Sequence, residues 1–134
     1  MRDLIEFLKA RLDEDEQAAR AAAADGSEWR FSEGAIYPSD TMSHPGPLAT
    51  HPHGDLNQAH GEHIARHDPA RVLADVEAKR YMVDFWSAAY QNPQDSERFS
   101  GPDWDQVRRN AQWTLRLLAL RYATHPDYDE NWRP

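Results

Sequence analysis

The residues that most restrict what this chain can fold into are His63-Ile64-Ala65-Arg66-His67-Asp68-Pro69-Ala70-Arg71-Val72-Leu73, running on through Asp75-Val76-Glu77-Ala78-Lys79-Arg80. They spell a short helix, an abrupt stop and the start of a long second helix. Asp68 has the chemistry of an N-cap, a carboxylate that accepts from backbone N–H groups left unbonded by the first helical turn. Pro69 suits the first helical position, where a missing N–H costs nothing and φ is already close to helical. The backbone must leave one helix and begin the next within a residue or two, so this region reads as two separate helices rather than a continuous rod.

The remaining pattern extends that frame. Over residues 2–25, Leu4, Ile5, Leu8, Leu12, Ala19 and Ala22 or Ala23 recur at spacings of three and four, which predicts one apolar helix face. Glu6, Lys9, Asp13, Glu16 and Arg20 take the other face, with Lys9–Asp13 and Glu16–Arg20 as i, i+4 ion pairs, and Asp25-Gly26 ends the helix. Trp29, Phe31, Ile36 and Tyr37 around Ser32-Glu33-Gly34 predict a small hairpin over 28–37, too small to stand without helices beside it. Residues 38–57, with Pro38, Pro45, Gly46, Pro47, Pro52 and Gly54, form a long Pro/Gly/His-rich loop, and loops of this length are functional or mobile.

Residues 58–66 are expected to form a short helix, with Asn57 a candidate cap. The long helix over 69–90 carries the stripe Val72, Leu73, Val76, Val83, Trp86 and Tyr90, and Asn92-Pro93 ends it. A polar connection at 91–101 leads into a last helix over 103–123 with the stripe Trp104, Val107, Ala111, Leu115, Leu118 and Tyr122. Trp113, Leu117 and Leu120 widen that stripe, which predicts a centrally placed helix. His125-Pro126 ends it, and Tyr128 and Trp132 are placed to pin the polar tail onto the body. The expected fold class is mainly α: three long helices plus one short helix, with a small β-hairpin-like element near 28–37. The helices at 69–90 and 103–123 are expected to pack on the first, within a single domain over 1–134.

Composition narrows function more than it defines it. A chain of 134 residues has the size of one domain. The absence of cysteine excludes disulfides, thiolate metal sites and cysteine nucleophiles. A net charge of −8 opposes general nucleic-acid binding and favours basic partners or cations. No apolar run spans a bilayer, and Met-Arg-Asp-Leu-Ile-Glu lacks the apolar core of a signal peptide, so a cytoplasmic protein with no membrane contact is expected. Five Trp and five Tyr are many for this length; most are expected in the core, and a cluster of them on the surface would mark an interface.

The histidines are the one cluster with chemical potential. His63 and His67 lie one helical turn apart on one face, and His60 precedes His63 by three residues, a geometry in which imidazoles can share zinc. His51 and His53 in the loop, where His44 also lies, are the candidate third and fourth ligands. Against this, His60-Gly61-Glu62-His63 lacks the His-Glu-x-x-His order of zinc proteases, so no metal is the favoured expectation and zinc the alternative. The run Asp13-Glu14-Asp15-Glu16 reads as a solvated face, and Arg66, Arg71, Lys79 and Arg80 as its salt-bridge partners. No glycine-rich phosphate loop or nucleophile motif is present, so no catalytic or cofactor-binding residue is assigned.

Three blocks together carry a resemblance. They are Leu4–Glu16, His63–Arg80, and Thr114–Leu120 with His125-Pro126-Asp127-Tyr128 and Trp132-Arg133-Pro134. They resemble a small actinobacterial family, also found in phages of those bacteria, known as domain of unknown function 6221. The Asp-Pro helix start is similar to that of phage Ea22-like proteins. The resemblance implies no activity. It does imply that relatives hold cysteines before the last helix at zinc-like spacings; here Trp113 stands where such members place one, leaving 91–112 to be held by packing. The expected function is that of a small acidic accessory protein, not an enzyme, acting by contact with an unknown protein partner in a phage or mobile-element setting. The alternatives are a His-rich metal-binding protein and an acidic inhibitor of a host nucleic-acid-binding or defence protein.

Overall fold

The alanine-rich first segment forms helix α1, Arg2–Ala22, which tightens into a 3₁₀ turn at Ala23–Asp25. Gly26 then turns the chain at φ 112°, where a Cβ would also come within 3.0 Å of Pro38. The computed structural model describes residues 1–40, 46–91 and 102–134. The elements that follow are strands β1, Trp29–Ser32, and β2, Ala35–Pro38, then helices α2, Gln58–Arg66, α3, Pro69–Gln91, and α4, Pro102–Ala119. Short 3₁₀ turns at Leu120–Tyr122 and Glu130–Trp132 complete the chain. The fold is mainly α with one antiparallel hairpin, as the patterning predicts.

The described residues divide into two compact units, one made of Met1–Asp13 with Glu77–Pro134, the other of Glu14–Val76. In the second unit, β1 pairs antiparallel with β2 in the register Trp29–Pro38, Phe31–Ile36 and Ser32–Ala35. Glu33 and Gly34 both have positive φ, 49° and 73°, which is the left-handed pair demanded by a two-residue type I′ turn. Part of the long loop serves as a partial third strand. Ile36 donates to Ala49 at 2.9 Å and accepts from Leu48 at 2.7 Å, and Leu56 donates to the Gly34 carbonyl at 2.7 Å. Residues 46–57 are thus bonded to the hairpin, while 41–45, including His44, lie outside the described residues.

Helix α2 starts where expected, the Asn57 side chain accepting from the Ala59 N–H at 2.9 Å. Gly61, mid-helix and buried, faces β1, and a Cβ at this position would fall on the Phe31 ring. Glycine here costs about 1 kcal/mol of helix propensity, and close packing of the aromatic ring against the helix backbone is what it provides. Asp68 caps α3 as predicted, Oδ1 accepting from the Arg71 N–H at 2.8 Å, with Pro69 fully buried at the first position. Its other oxygen accepts from the Trp29 N–H at 3.1 Å, and Ala70 donates to the Ser27 carbonyl at 2.9 Å. The helix start and the strand start are fastened to one carboxylate.

In the first unit, Leu4, Ile5, Phe7, Leu8, Arg11 and Leu12 of α1 are buried, as are Val83 and Ser87 of α3 and Ala111, Leu115 and Ala119 of α4. Phe7 is the hub of the tail. Its ring meets Trp132 at 4.9 Å, His125 at 5.8 Å, Tyr128 at 6.1 Å and Tyr122 at 6.2 Å between centroids. The expected pinning by Tyr128 and Trp132 is therefore present, on a residue outside the apolar stripe that patterning assigned to α1.

Four expectations are corrected. Lys9 and Asp13 do not pair with each other. Lys9 bridges to Asp84 at 3.2 Å and Asp13 to Arg80, because partners on α3 are within reach of both. Glu16–Arg20 forms as expected. Helix α4 is not central: Trp113 is 52% and Leu117 48% exposed, so only one of its two apolar faces is covered. None of the five tryptophans is fully buried, since each keeps part of its large ring at the surface. Arg66 and Arg71 form no ion pair among the described residues, whereas Arg80 supplies the expected bridge to the acidic run, at Asp13. Asn92-Pro93, the connection at 92–101 and the Tyr90 side chain lie outside the described residues.

Gly61→Ala is expected to lower stability by about 1–3 kcal/mol through overpacking on Phe31, despite the gain in helix propensity. Phe31→Ala should then cost less in the Gly61→Ala background than alone, as a double-mutant cycle by thermal melting would show. A melt raised by Gly61→Ala would contradict the close contact.

Candidate functional site

Helix α3 is apolar on more than one side, and this shapes its surface. Val76, Val83 and Ser87 fall on one face and are buried. At 100° per residue, Tyr81 and Phe85 fall roughly opposite, one turn apart, with Met82, Ala78 and Ala88 beside them. Tyr81 is 71% and Phe85 65% exposed. Two large aromatic side chains held in water on a rigid helix form the surface cluster that aromatic-rich composition left as a possibility. The sequence stripe missed them because it followed the covered face. The signal was still present: Tyr81, Met82 and Phe85 are large apolar residues lying off the face set by Val76 and Val83.

Helix α4 repeats the arrangement. Ala111, Leu115 and Ala119 are buried, and Trp113 and Leu117, again one turn apart, look the other way. The charges beside the two exposed pairs differ in sign. Glu77 and Asp84 flank Tyr81 and Phe85, whereas Arg109 and Arg116 flank Trp113 and Leu117. From 106 to 124 the chain contains four arginines and no acidic residue.

Among the described residues the histidines are brought together only in pairs. The His63 and His67 rings lie 4.4 Å apart at a 38° tilt, and His67 Nδ1 is 2.8 Å from the His63 carbonyl. A carbonyl only accepts, so Nδ1 of His67 is the donor in this contact. His51 and His53 stack edge-on at 6.1 Å, and His51 Nδ1 accepts from the His53 N–H at 3.1 Å. His60 is exposed on α2. Among the described residues, no group of three or more His, Cys, Asp or Glu is arranged to hold a metal ion. Arg66 and Arg71, which form no ion pair among the described residues, flank the end of α2 and further disfavour a dication there.

Two polar clusters in the first unit have structural explanations. Arg11, only 8% exposed, lays its guanidinium over Phe7 at 5.2 Å and donates to His125 Nδ1 at 3.0 Å, with Asp127 at 3.7 Å. His125 Nδ1 also accepts from the Asp127 N–H at 3.1 Å, so its proton sits on Nε2. This cluster anchors the tail. A depression of about 220 Å³ is lined by Lys9, Asp13, Arg80, Val83 and Asp84. Its walls are the two bridges Lys9–Asp84 and Arg80–Asp13, which leave little uncompensated charge for a ligand. At the C-terminus Arg133 donates to Glu130 at 2.9 Å, and that bond holds the Glu130 carboxyl below its ordinary value. Among the described residues no helix is long and apolar enough to cross a membrane.

Because the described histidines meet only in pairs, zinc, nickel and cobalt are each expected to leave the melting temperature unchanged at about pH 7.5, where imidazole is neutral and able to ligate. A rise that disappears in the His63→Ala/His67→Ala double variant would reinstate the metal reading.

No curated protein and no solved structure matches the chain. One family model does, and it spans residues 1–134, from end to end. The resemblance carried by the three sequence blocks is thereby extended to the whole chain, which belongs to the family of unknown function DUF6221.

Proposed function

We propose that this chain is a non-enzymatic, cytoplasmic accessory protein that works by binding another protein chain through the exposed face of α3, in an actinobacterial or phage setting. The observation that carries this reading is the pair Tyr81 and Phe85, exposed one turn apart on the side of α3 away from Val83 and Ser87. Burying a side chain of this size recovers about 1.5–3 kcal/mol, and aromatic side chains are enriched where binding energy concentrates. The helix presents them rigidly, so little side-chain order is lost on binding. The setting is supported by the family resemblance alone. The described ionic clusters favour a non-catalytic role, since Arg11, His125 and Asp127 are engaged with one another around the Phe7 hub.

A photo-crosslinking amino acid at position 85 tests this in cells that encode the protein. A discrete adduct is expected from position 85 and none from the exposed α1 position Ala18, and Tyr81→Arg should diminish it. Equal labelling from 85 and 18, or none from either, would overturn the reading.

A further inference from the structure

We infer that the partner of the α3 face is the α4 face of a second copy of this chain, the two copies docking reciprocally as a symmetric dimer. This rests on the proposed function and names its partner. Each face has the same construction. On α3, Tyr81 and Phe85 are exposed four residues apart, and Glu77 and Asp84, seven residues apart, run along their edge. On α4, Trp113 and Leu117 are exposed four residues apart, and Arg109 and Arg116, also seven residues apart, run along theirs. Seven residues are two turns, about 10.5 Å of helix, so the two acidic and two basic groups have matching spacing. A seven-residue repeat with apolar pairs on the seam and opposite charges at the edge is how helices recognise one another.

The charges on these faces are available for such a contact. Glu77 is exposed and has no partner among the described residues. Asp84 bridges to Lys9 with its side chain 65% exposed, which leaves a carboxylate oxygen for a second donor. Among the described residues Arg109 donates to the neutral Gln106, and the half-buried Arg116 forms no ion pair. Within one chain Tyr81, Phe85, Trp113 and Leu117 stay exposed; between two chains the charges beside the two pairs are opposite in sign. Reciprocity follows from symmetry. If α3 of one copy meets α4 of the other, a two-fold axis makes the second contact identical to the first, and the assembly closes. An acidic chain can self-associate in this way because the residues flanking Trp113 and Leu117 are basic while those flanking Tyr81 and Phe85 are acidic.

The test uses the full chain and two charge-reversed variants. Sedimentation of the wild-type chain is expected to give twice the monomer mass. Glu77→Arg/Asp84→Arg and Arg109→Glu/Arg116→Glu should each weaken self-association by at least about tenfold, since like charges then face each other at both contacts. Mixed in equal amounts, the two variants should restore the dimer, because both contacts again carry opposite signs. Circular dichroism melts establish that each variant is folded. Where a double reversal fails to fold, Glu77→Arg and Arg109→Glu singly take its place. A wild-type chain that stays monomeric, or folded variants that fail to dimerise on mixing, overturns the inference. If the adduct at position 85 then contains a different protein, the interaction reading stands and only the identity of the partner is wrong. If position 85 gives no adduct at all, both fall.

Discussion

The second unit depends on one carboxylate. Asp68 caps α3 with Oδ1 and holds the first N–H of β1 with Oδ2. Both donors are groups that secondary structure leaves over: one is in the unbonded first turn of a helix, the other at the start of a strand. An N-cap carboxylate is worth about 0.5–2 kcal/mol, and a hydrogen bond to a charged group about 1.5–3 kcal/mol, so losing this side chain is felt in two elements at once. The bond from Ala70 to Ser27 ties the same two strands of chain a second time. With the hairpin held, Phe31 reaches the bare backbone of Gly61, and Ile36 gathers Leu48 and Ala49 onto its edge. An otherwise marginal two-stranded ribbon is stabilised by what is fastened around it.

Helix α3 starts at that junction and ends in the other unit, and its composition is the source of the proposed function. It has enough apolar residues for two faces, of which one is covered. The same is true of α4. In α1, by contrast, the solvent side is charged and alanine-rich, and Lys9, Asp13, Glu16 and Arg20 have ionic partners. The molecule therefore holds its large exposed side chains on two helices, one with acidic and the other with basic neighbours. Exposed ion pairs contribute little to stability, on the order of 0–1 kcal/mol each. Their arrangement matters more for what the surface attracts and rejects.

Much of the fold was legible because its signals are local. Asn57 and Asp68 cap the helices they precede, Gly26 ends the first, Ser32-Glu33-Gly34 makes the turn, and Tyr128 and Trp132 anchor the tail. What escaped depends on which side of a helix has a neighbour. Periodicity locates an apolar stripe but is silent on whether a second stripe is covered, so it points Trp113 and Leu117 inward and does not single out Tyr81 and Phe85. Lys9 and Asp13 have perfect spacing for a bond to each other, yet tertiary partners replaced it. The loop's attachment at Ile36 and Gly34 runs through backbone groups, which carry no side-chain signature. Of the candidate site, the histidine pair was visible from its spacing. Its lack of a third ligand among the described residues was a matter of where the loop histidines lie.

Amide hydrogen exchange on Asp68→Ala addresses the junction most directly. The account predicts that the Trp29 and Arg71 amides both lose protection, by at least about tenfold for each 1.4 kcal/mol removed. Protection lost at Arg71 but retained at Trp29 would make Asp68 an ordinary helix cap and contradict the shared fastening of strand and helix.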